Sequence, residues 1–303
     1  MALANTILAG AQKSGTTALC RFLGAHPHCH VSEPKETNYF SRADNLAHLG
    51  RYERCFRGAG PERRVRIDGT TTYMADPAVA GRIRATLGEN AKIIFILRSP
   101  AARSYSSYLH MLKRGHERRT ADEVFLSLPD DPAAAACAER AAVSAAAGRG
   151  RVAKRPYARL YDDLLWNYRY VGNSLYASLI DSFLAVFPGD NVQVIFFEEV
   201  AADPAAAGRV LGGFLDVDPT LFPATLPSAN VTRVPDPSTP WGWLVEQGRW
   251  LKNGNLTLVR PSEIAASPLV ASPPVRDKLN GIFKHEVAYW SGHSGRDLRT
   301  VGW

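Results

Sequence analysis

The sequence predicts an α/β protein in which a central parallel sheet, flanked by helices, carries a phosphate-loop-like nucleotide-binding core. A short apolar strand near 5–9 runs through a glycine-bounded loop into an apolar-periodic helix near 15–25. A fully apolar segment near 92–97 is followed by a helix with Pro100 in its first turn. Strand and helix patterns then alternate along the chain, which is the order that produces a parallel sheet with helices on both faces.

The remaining elements continue this alternation. Strands are predicted near 65–68 and 192–197, and helices near 77–87, 100–114, 173–187 and 205–215. The alanine-rich stretch from Ala133 to Ala147 is expected to form an exposed or lid helix. Because the strands are parallel, we expect the functional site at their carboxyl ends.

The first loop, bounded by Gly10 and Gly15, has the spacing of a phosphate-binding loop. In the ATP-type pattern G-x-x-x-x-G-K-[ST] a lysine follows the second glycine, whereas here Thr16 follows it and the lysine is Lys13. Backbone N–H groups, the helix dipole and one cation remain as an anion site, but the case for a metal-bridged triphosphate is weaker. An ordinary tight strand-to-helix turn is the alternative interpretation.

The apolar segment near 92–97 ends in Arg98, where an ATPase would usually carry a metal-holding aspartate. A guanidinium there can bind a second phosphate bidentately, and Ser106 in the following helix can add a hydroxyl. A solvated arginine that caps the strand would explain Arg98 alone, but not the whole pattern Arg-x-Pro-x-x-Arg-x-x-Ser-x-Tyr. Two phosphate-binding segments without that aspartate indicate a nucleotide charged at its 5′ and 3′ ends.

The two segments together resemble the sulfotransferases that use 3′-phosphoadenosine 5′-phosphosulfate (PAPS). Gly10-Ala-Gln-Lys-Ser-Gly-Thr-Thr17 is similar to their 5′ loop, and Leu97-Arg-Ser-Pro-Ala-Ala-Arg-Ser-Tyr-Ser-Ser-Tyr108 to their 3′-phosphate motif. The resemblance is strongest to the branch of heparan sulfate sulfotransferases and bacterial relatives. It implies the sulfotransferase fold, PAPS as donor, 3′-phosphoadenosine 5′-phosphate (PAP) as product, and no metal. The residues that it assigns to cofactor binding are Gly10, Gln12, Lys13, Ser14, Gly15, Thr16, Thr17, Arg98, Ser106 and Arg233.

The catalytic base is expected between those motifs, where Gly24-Ala-His-Pro-His-Cys-His-Val-Ser-Glu-Pro-Lys-Glu-Thr-Asn-Tyr-Phe40 is similar to the family's His-Pro followed by Lys-Glu-x-x-x-Phe. The resemblance places Glu36 on the carboxylate that deprotonates the acceptor hydroxyl, a step that so weak an acid requires. It assigns Lys13 to charge on the leaving oxygen, and Lys35 to the sulfuryl oxygens. A surface pair of Glu36 with Lys35 is the alternative.

Three histidines in the same stretch, at positions 26, 28 and 30, are rival bases, because other sulfotransferase branches use histidine. They rank below Glu36 because they are predicted to lie in a loop that leads into Val31. Three histidines this close could also bind zinc, but neither a cysteine pair nor a spaced carboxylate accompanies them.

The stretch Val65-Arg-Ile-Asp-Gly-Thr-Thr-Thr-Tyr-Met74 resembles the family's Glu-Lys-x-Pro-x-Tyr, with two departures. Gly69 replaces the lysine and Thr71 the proline, so that either Lys35 or an arginine compensates, or the acceptor site differs. Within a single domain spanning 1–303, segments near 115–170 and 235–265 are expected to face the acceptor. The candidate acceptor-binding residues are Lys35, Asn38, Tyr73, Tyr161 and Trp166, with core packing as the alternative for the aromatic ones.

Composition limits the possible partners and compartment. The net charge of +7 suits an anionic cofactor and equally nucleic acid, but no helix-turn-helix, zinc-finger or aromatic RNA-binding signature accompanies it. Four cysteines without paired spacing favour free thiols in a reducing compartment. Since neither a leader nor a membrane-length apolar run is found, we expect a cytoplasmic protein without a membrane partner, from a bacterial source.

The sequence therefore predicts sulfuryl transfer from PAPS to a hydroxyl of a carbohydrate or natural-product acceptor. Two alternatives stay open. A small-molecule kinase with a degenerate phosphate loop would bind magnesium-ATP and be indifferent to a 3′-phosphate. A nucleotide-binding module that has lost catalysis would bind PAP without transferring sulfate, and Gly69 in place of the family lysine gives this reading some support.

Overall fold

The computed structural model describes residues 3–114, 116–152, 167–227, 250–252, 255–257 and 271–303. The chain folds as two compact units. The first comprises Met1–Ser99, Tyr176–Asn230 and Tyr289–Trp303, and the second comprises Pro100–Leu175 and Val231–Ala288. Among the described residues, no helix has the length and hydropathy that crossing a membrane requires.

Five strands form the sheet of the first unit, and all of their pairings are parallel. They are β1 (Thr6–Gly10), β2 (Cys29–Val31), β3 (Val65–Asp68), β4 (Lys92–Leu97) and β5 (Val192–Phe196). Their order in the sheet is β2-β3-β1-β4-β5. The ends of β3, β1 and β4 are therefore neighbours at the carboxyl edge. A short antiparallel pair in the second unit consists of β6 (Trp250–Lys252) and β7 (Asn255–Thr257).

The described residues form ten α-helices. Five begin and end within three residues of the helices predicted near 15–25, 77–87, 100–114, 173–187 and 205–215, one covers the alanine-rich stretch, and four were not predicted. The ten helices are α1 (Thr16–Gly24), α2 (Leu49–Arg54), α3 (Ala78–Leu87), α4 (Pro100–Leu112), α5 (Ala121–Phe125), α6 (Pro132–Gly148), α7 (Tyr176–Leu184), α8 (Phe197–Ala202), α9 (Pro204–Leu215) and α10 (Pro273–Ser294). Short 3₁₀ helices lie at Tyr39–Ser41, Ala43–His48, Tyr73–Ala75, Gly172–Ser174, Gly189–Asn191, Pro219–Leu221 and Leu298–Val301.

Side chains of β4 point alternately into two cores on opposite faces of the sheet, as the twofold period of a strand requires. Ile93, Phe95 and Leu97 pack in the core that also takes side chains of α3 and α7. Ile94 and Ile96 pack in the core that takes side chains of α1 and α9. Because helices cover both faces, the strand reads as one apolar run. The predicted α/β fold class with a central parallel sheet is confirmed.

Two local predictions were wrong. Residues 29–31 form strand β2, paired with β3, so that His30 lies in a strand and not in a loop; three residues are too few for a periodic signal. Helix α6 is not simply exposed, because Ala135, Val143 and Ala146 on one of its faces are buried in the core of the second unit. Alanine on every side of the helix hid that face from the sequence pattern.

Helix α6 also carries a buried acid, Glu139, in the second unit. Its carboxylate accepts the backbone N–H groups of Val171 at 2.8 Å and Gly172 at 3.1 Å. Burial raises the pKa of Glu139 from 4.5 to about 7, although the two N–H bonds and the charges of Arg103 and Arg169 oppose the rise. The motif residue Arg103 is thus a buried structural group of this unit.

The raised pKa of Glu139 predicts a pH-dependent stability. Between pH 4.5 and 7 the folded state holds more protons on Glu139 than the unfolded state, so stability falls as the pH rises through this window. We expect the melting temperature of the wild type, relative to that of Glu139→Gln, to fall by on the order of 5 °C across it. Thermal unfolding of both proteins at pH 4.5 and at pH 7 checks this. The same difference in melting temperature between the two proteins at both pH values would contradict it.

Candidate active site

The loop between β1 and α1 has the backbone geometry of an anion site. Lys13 and Gly15 have φ angles of 71° and 85°, in the left-handed region. In the described part of the chain no side chain caps α1 at Gly15. The first N–H groups of a helix have no partner within it, and together with the positive end of the helix dipole they favour the binding of an anion beside the loop.

Ser14 provides a separate indication of a ligand at this loop. Its side chain is fully buried, and its Oγ has no hydrogen-bond partner among the described residues. Buried hydroxyl groups in proteins are normally hydrogen-bonded. An oxygen of a bound phosphate or sulfate group at the loop would supply the partner, so the loop fits the anionic end of a nucleotide.

Phe197, at the start of α8, packs against both proposed phosphate-binding segments. A Cβ at Gly15 would overlap the Phe197 ring, so the ring lies directly against the backbone of the loop. The guanidinium of Arg98 lies over the same ring, 5.5 Å from its centroid. The loop and Arg98 therefore both pack against one aromatic ring.

The backbone around Arg98 is fixed by three further side chains. Tyr176 donates its hydroxyl to the carbonyl of Arg98 at 2.8 Å. Glu198 accepts the N–H of Ser99 at 3.1 Å and, through its other oxygen, the indole N–H of Trp303 at 2.9 Å. These bonds set the direction in which the Arg98 side chain leaves the carboxyl end of β4.

Glu36, the candidate base, lies between β2 and β3 in the chain, and its side chain is 43% exposed. Its Oε1 accepts hydrogen bonds from the Lys35 ammonium and the Thr71 hydroxyl, both at 3.2 Å. None of the described residues donates to Oε2. One oxygen of this half-exposed carboxylate is thus held in place, while the other has no donor among the described residues.

Gly69 lies directly beneath the side chain of Lys35. A Cβ at this position would be 2.7 Å from Cys20 Sγ and 3.3 Å from Lys35 Cγ. Lys35 crosses this space, and its ammonium donates to the Gly69 carbonyl at 3.0 Å. A Cβ at position 69 would overlap Cys20 Sγ and would also contact Lys35 so tightly that Lys35 would have to shift by a few tenths of an ångström. Thr71, the second departure from the family pattern, supplies the hydroxyl that donates to Glu36.

This packing predicts that Gly69→Ala is destabilising, by about 1–3 kcal/mol, because the added methyl group overpacks the space between Cys20 and Lys35. Gly81→Ala is a matched control, since Gly81 lies in α3 with open space around it and alanine favours a helix. Cys20→Ala in the Gly69→Ala background should restore part of the loss. Urea unfolding measures all three variants, and Gly69→Ala as stable as the wild type would refute the packing.

A buried carboxylate, Asp68, lies at the end of β3. Its Oδ2 accepts the hydroxyls of Thr37, Tyr52 and Tyr73 at 2.7, 3.1 and 3.0 Å, and its Oδ1 accepts that of Thr70 at 2.6 Å. Burial raises the pKa of Asp68, against the effect of these four bonds. Sequence reasoning missed this group; the only signal was an acid at the end of an apolar strand, followed by three threonines and a tyrosine.

Two of the candidate acceptor-binding residues, Tyr73 and Asn38, are buried and hydrogen-bonded to groups around Glu36. Tyr73 is fully buried, and its hydroxyl donates to Asp68 and accepts the N–H of Phe40. Asn38 is 9% exposed, and its carboxamide bonds to the Glu36 carbonyl and the Thr72 hydroxyl. Both residues support the Glu36 segment, and their roles as acceptor contacts stay a prediction.

The other predicted site residues divide between the two units. In the first unit, Gln12 and Thr17 are half-buried and Thr16 is buried. Gly10 packs so closely that a Cβ there would be 2.8 Å from Met74. Ser106 lies half-buried on α4 of the second unit. The candidates Tyr161, Trp166 and Arg233 lie outside the described residues.

His26 and His28 have structural hydrogen-bond partners, whereas the buried Nε2 of His30 has none among the described residues. His26 is buried; its Nδ1 accepts the N–H of His28 at 3.1 Å, so the proton resides on Nε2, 3.0 Å from the Asp218 carbonyl. His28 bonds through Nδ1 to the Glu62 carbonyl. Across the ranges that the structure describes, no group of three or more histidine, cysteine or acidic residues is placed to hold a metal ion. The two bonds of His26 occupy both of its ring nitrogens.

The sequence and the fold of this chain resemble those of known proteins. Residues 3–224 match the family model described as the sulfotransferase domain. The structure resembles a sulfotransferase from Alicyclobacillus acidocaldarius, with a TM-score of 0.64 and 25% identity over 99% of each chain. The membrane-associated sulfotransferase kil1 of Dictyostelium discoideum is 23% identical over 72% of this chain and 57% of its own length. Heparan sulfate glucosamine 3-O-sulfotransferase 5 of Mus musculus is 20% identical over 72% of this chain and 55% of its own. The chain thus spans little more than half of these curated relatives.

Proposed function

Because the chain belongs to the sulfotransferase family, we propose that it transfers a sulfuryl group from PAPS to a hydroxyl of a carbohydrate or natural-product acceptor. The observation that carries the proposal is the packing of the Gly15 loop and Arg98 on one ring, Phe197. This arrangement suits a nucleotide with an anionic group at each end of its ribose. The resemblance in the two motifs and the family membership support the same donor.

The residues proposed to hold PAPS divide between its two ends. The 5′ end would take the loop N–H groups, the Ser14 hydroxyl and the Lys13 ammonium. The 3′-phosphate would take the Arg98 guanidinium bidentately. When bound, PAPS supplies an activated sulfuryl group and leaves as PAP. The further proposed contacts are Gly10, Gln12, Gly15, Thr16, Thr17, Ser106 and Arg233.

Glu36 is the proposed general base. Its Oε2 would accept the proton of the acceptor hydroxyl while Thr71 and Lys35 hold Oε1. Lys35 also places a cation at the carboxyl end of β3, which offsets the absence of a lysine at position 69. Lys13 would oppose the negative charge that develops on the leaving oxygen. Because a sulfuryl group carries less charge than a phosphoryl group, these lysines suffice and the proposed reaction requires no metal.

The acceptor class is proposed from the relatives and from the aromatic residues of two segments of this chain. One relative is named for heparan sulfate glucosamine, a carbohydrate. Residues 115–170 and 235–265 are proposed to face the acceptor, with Tyr161 and Trp166 as stacking surfaces for a sugar or a planar ring. Lys35 would contribute a cation next to the acceptor hydroxyl.

Transfer from ³⁵S-labelled PAPS tests this function. We expect label in at least one member of a panel of N-sulfated heparan oligosaccharide, chitooligosaccharide and p-nitrophenol, with one PAP released per labelled product. Label transferred instead from γ-³²P-ATP with magnesium would establish the kinase alternative. Tight PAP binding with no transfer to any of a widened acceptor panel would establish the inactive module.

A further inference from the structure

We propose that Asp68 is a positioning residue for the candidate base, which it orients through a set of hydroxyl groups. This inference rests on the proposed function, because it assigns the role of a residue behind Glu36. Asp68 does not reach the surface and so cannot touch a substrate. Its effect on the reaction must therefore pass through the residues bonded to it.

The hydroxyls on Asp68 connect it to Glu36 from two sides. Thr37 follows Glu36 in the chain and donates to Asp68 at 2.7 Å. Thr70 donates to Asp68 at 2.6 Å, and the next residue, Thr71, donates to Glu36 Oε1. The backbone that carries Glu36 and the hydroxyl that holds its carboxylate therefore depend on the same buried charge.

The same hydroxyls accept the backbone N–H groups that follow Glu36. The N–H of Asn38 bonds to the Thr70 hydroxyl, that of Tyr39 to the Thr37 hydroxyl, and that of Phe40 to the Tyr73 hydroxyl, all at 3.2 Å. Each of these three hydroxyls donates its own proton to Asp68. Three consecutive backbone N–H groups are thus each linked to the Asp68 carboxylate through one hydroxyl group.

A negative charge at position 68 fixes the direction of these bonds. Because an ionised carboxyl accepts only, each hydroxyl must donate to it, which turns a lone pair toward the N–H group outside. Asn38 has a left-handed φ of 53°, a conformation that costs free energy for any residue other than glycine. The three N–H bonds offset that cost. An amide at position 68 would present an N–H₂ to at least one hydroxyl and redirect its proton.

A matched pair of variants separates positioning from general stability. Thr37→Val removes one hydroxyl from Asp68 together with the acceptor of the Tyr39 N–H. Tyr52→Phe also removes one buried hydroxyl from Asp68, but Tyr52 lies on α2, and no N–H of residues 38–40 bonds to it in the described chain. Asp68→Asn is the third variant. Should Asp68→Asn fail to fold, the comparison of Thr37→Val with Tyr52→Phe still separates positioning from general stability.

The first readout is hydrogen exchange of the amides of residues 38–40. Asp68→Asn and Thr37→Val should accelerate it at least about tenfold, with little change in β4, whereas Tyr52→Phe should change it by less than about threefold. A uniform acceleration in all three variants, or none, would overturn the proposal. This readout needs neither nucleotide nor acceptor, so a failure to bind PAP would refute the proposed function without deciding the role of Asp68.

The second readout is PAP release from PAPS, with chitooligosaccharide as acceptor, because its alcohol hydroxyls are too weakly acidic to react without a base. Asp68→Asn should lower kcat by about 10- to 100-fold while the Kd for PAP changes by less than about threefold. In the Glu36→Gln background the same substitution should have almost no further effect, because the group that it positions is already absent. An equal loss of kcat in both backgrounds would show that Asp68 does not act through Glu36.

Discussion

Glu36→Gln is expected to lower turnover by about 10²–10⁴-fold, because glutamine cannot take the acceptor proton. PAP affinity should stay within about threefold of wild type, since Glu36 is not among the proposed nucleotide contacts. Glutamine keeps the size of the side chain and an oxygen that can accept from Thr71 and Lys35. The measurements are PAP release from PAPS and calorimetric titration with PAP.

Glu33→Gln is the matched control for Glu36, because Glu33 is an exposed acid in the same segment and carries no proposed role. It should leave both turnover and PAP affinity unchanged. A Glu36→Gln variant that kept full turnover, or that lost nucleotide affinity to the same extent as turnover, would remove Glu36 from the role of base.

Arg98→Ala is expected to weaken PAP binding by roughly 100-fold, which corresponds to two charge-assisted hydrogen bonds at about 1.5 kcal/mol each. AMP lacks the 3′-phosphate, so its Kd should change by less than about threefold. The difference between the two ligands separates loss of a direct contact from damage to the loop that packs on the same ring. Calorimetry with each ligand provides both values.

Arg84→Ala controls for the loss of one positive charge, because Arg84 is an exposed arginine of α3 whose described ion pair is with Glu89. It should not alter the Kd for PAP at moderate ionic strength. Equal weakening of PAP and AMP by Arg98→Ala, or no weakening of either, would contradict a contact between Arg98 and the 3′-phosphate.

The sheet was largely predictable because buried parallel strands form short apolar runs. The bounds of β3 and β4 agree with their predictions, and those of β1 and β5 differ by one residue. At β5 the difference matters, because Phe197 starts a helix and not the end of a strand. Its contacts with the loop and Arg98 depend on that helical turn, and nothing local in the sequence encodes them.

The candidate site was predictable where a motif carries it and not where distant segments converge. The glycine-bounded loop, Arg98 and Glu36 each belong to a recognisable pattern. Asp68 gathers hydroxyls from residues 37, 52, 70 and 73, whose sequence positions are unrelated by any period. Sequence reasoning also left open what replaces the family lysine at Gly69. In the structure a Cβ at position 69 would overlap Cys20 Sγ at 2.7 Å, and the Lys35 ammonium lies 3.0 Å from the Gly69 carbonyl.

Calorimetric titration of the chain with PAP in the absence of metal measures whether the site binds a nucleotide charged at both its 5′ and 3′ ends. AMP and magnesium-ATP are the comparison ligands. We expect tight binding of PAP and weak binding of magnesium-ATP. AMP should bind markedly more weakly than PAP, because it lacks the 3′-phosphate that Arg98 is proposed to bind. Preferential binding of magnesium-ATP, or equal affinities for PAP and AMP, would contradict the claim that this site holds a nucleotide with charge at both its 5′ and 3′ ends.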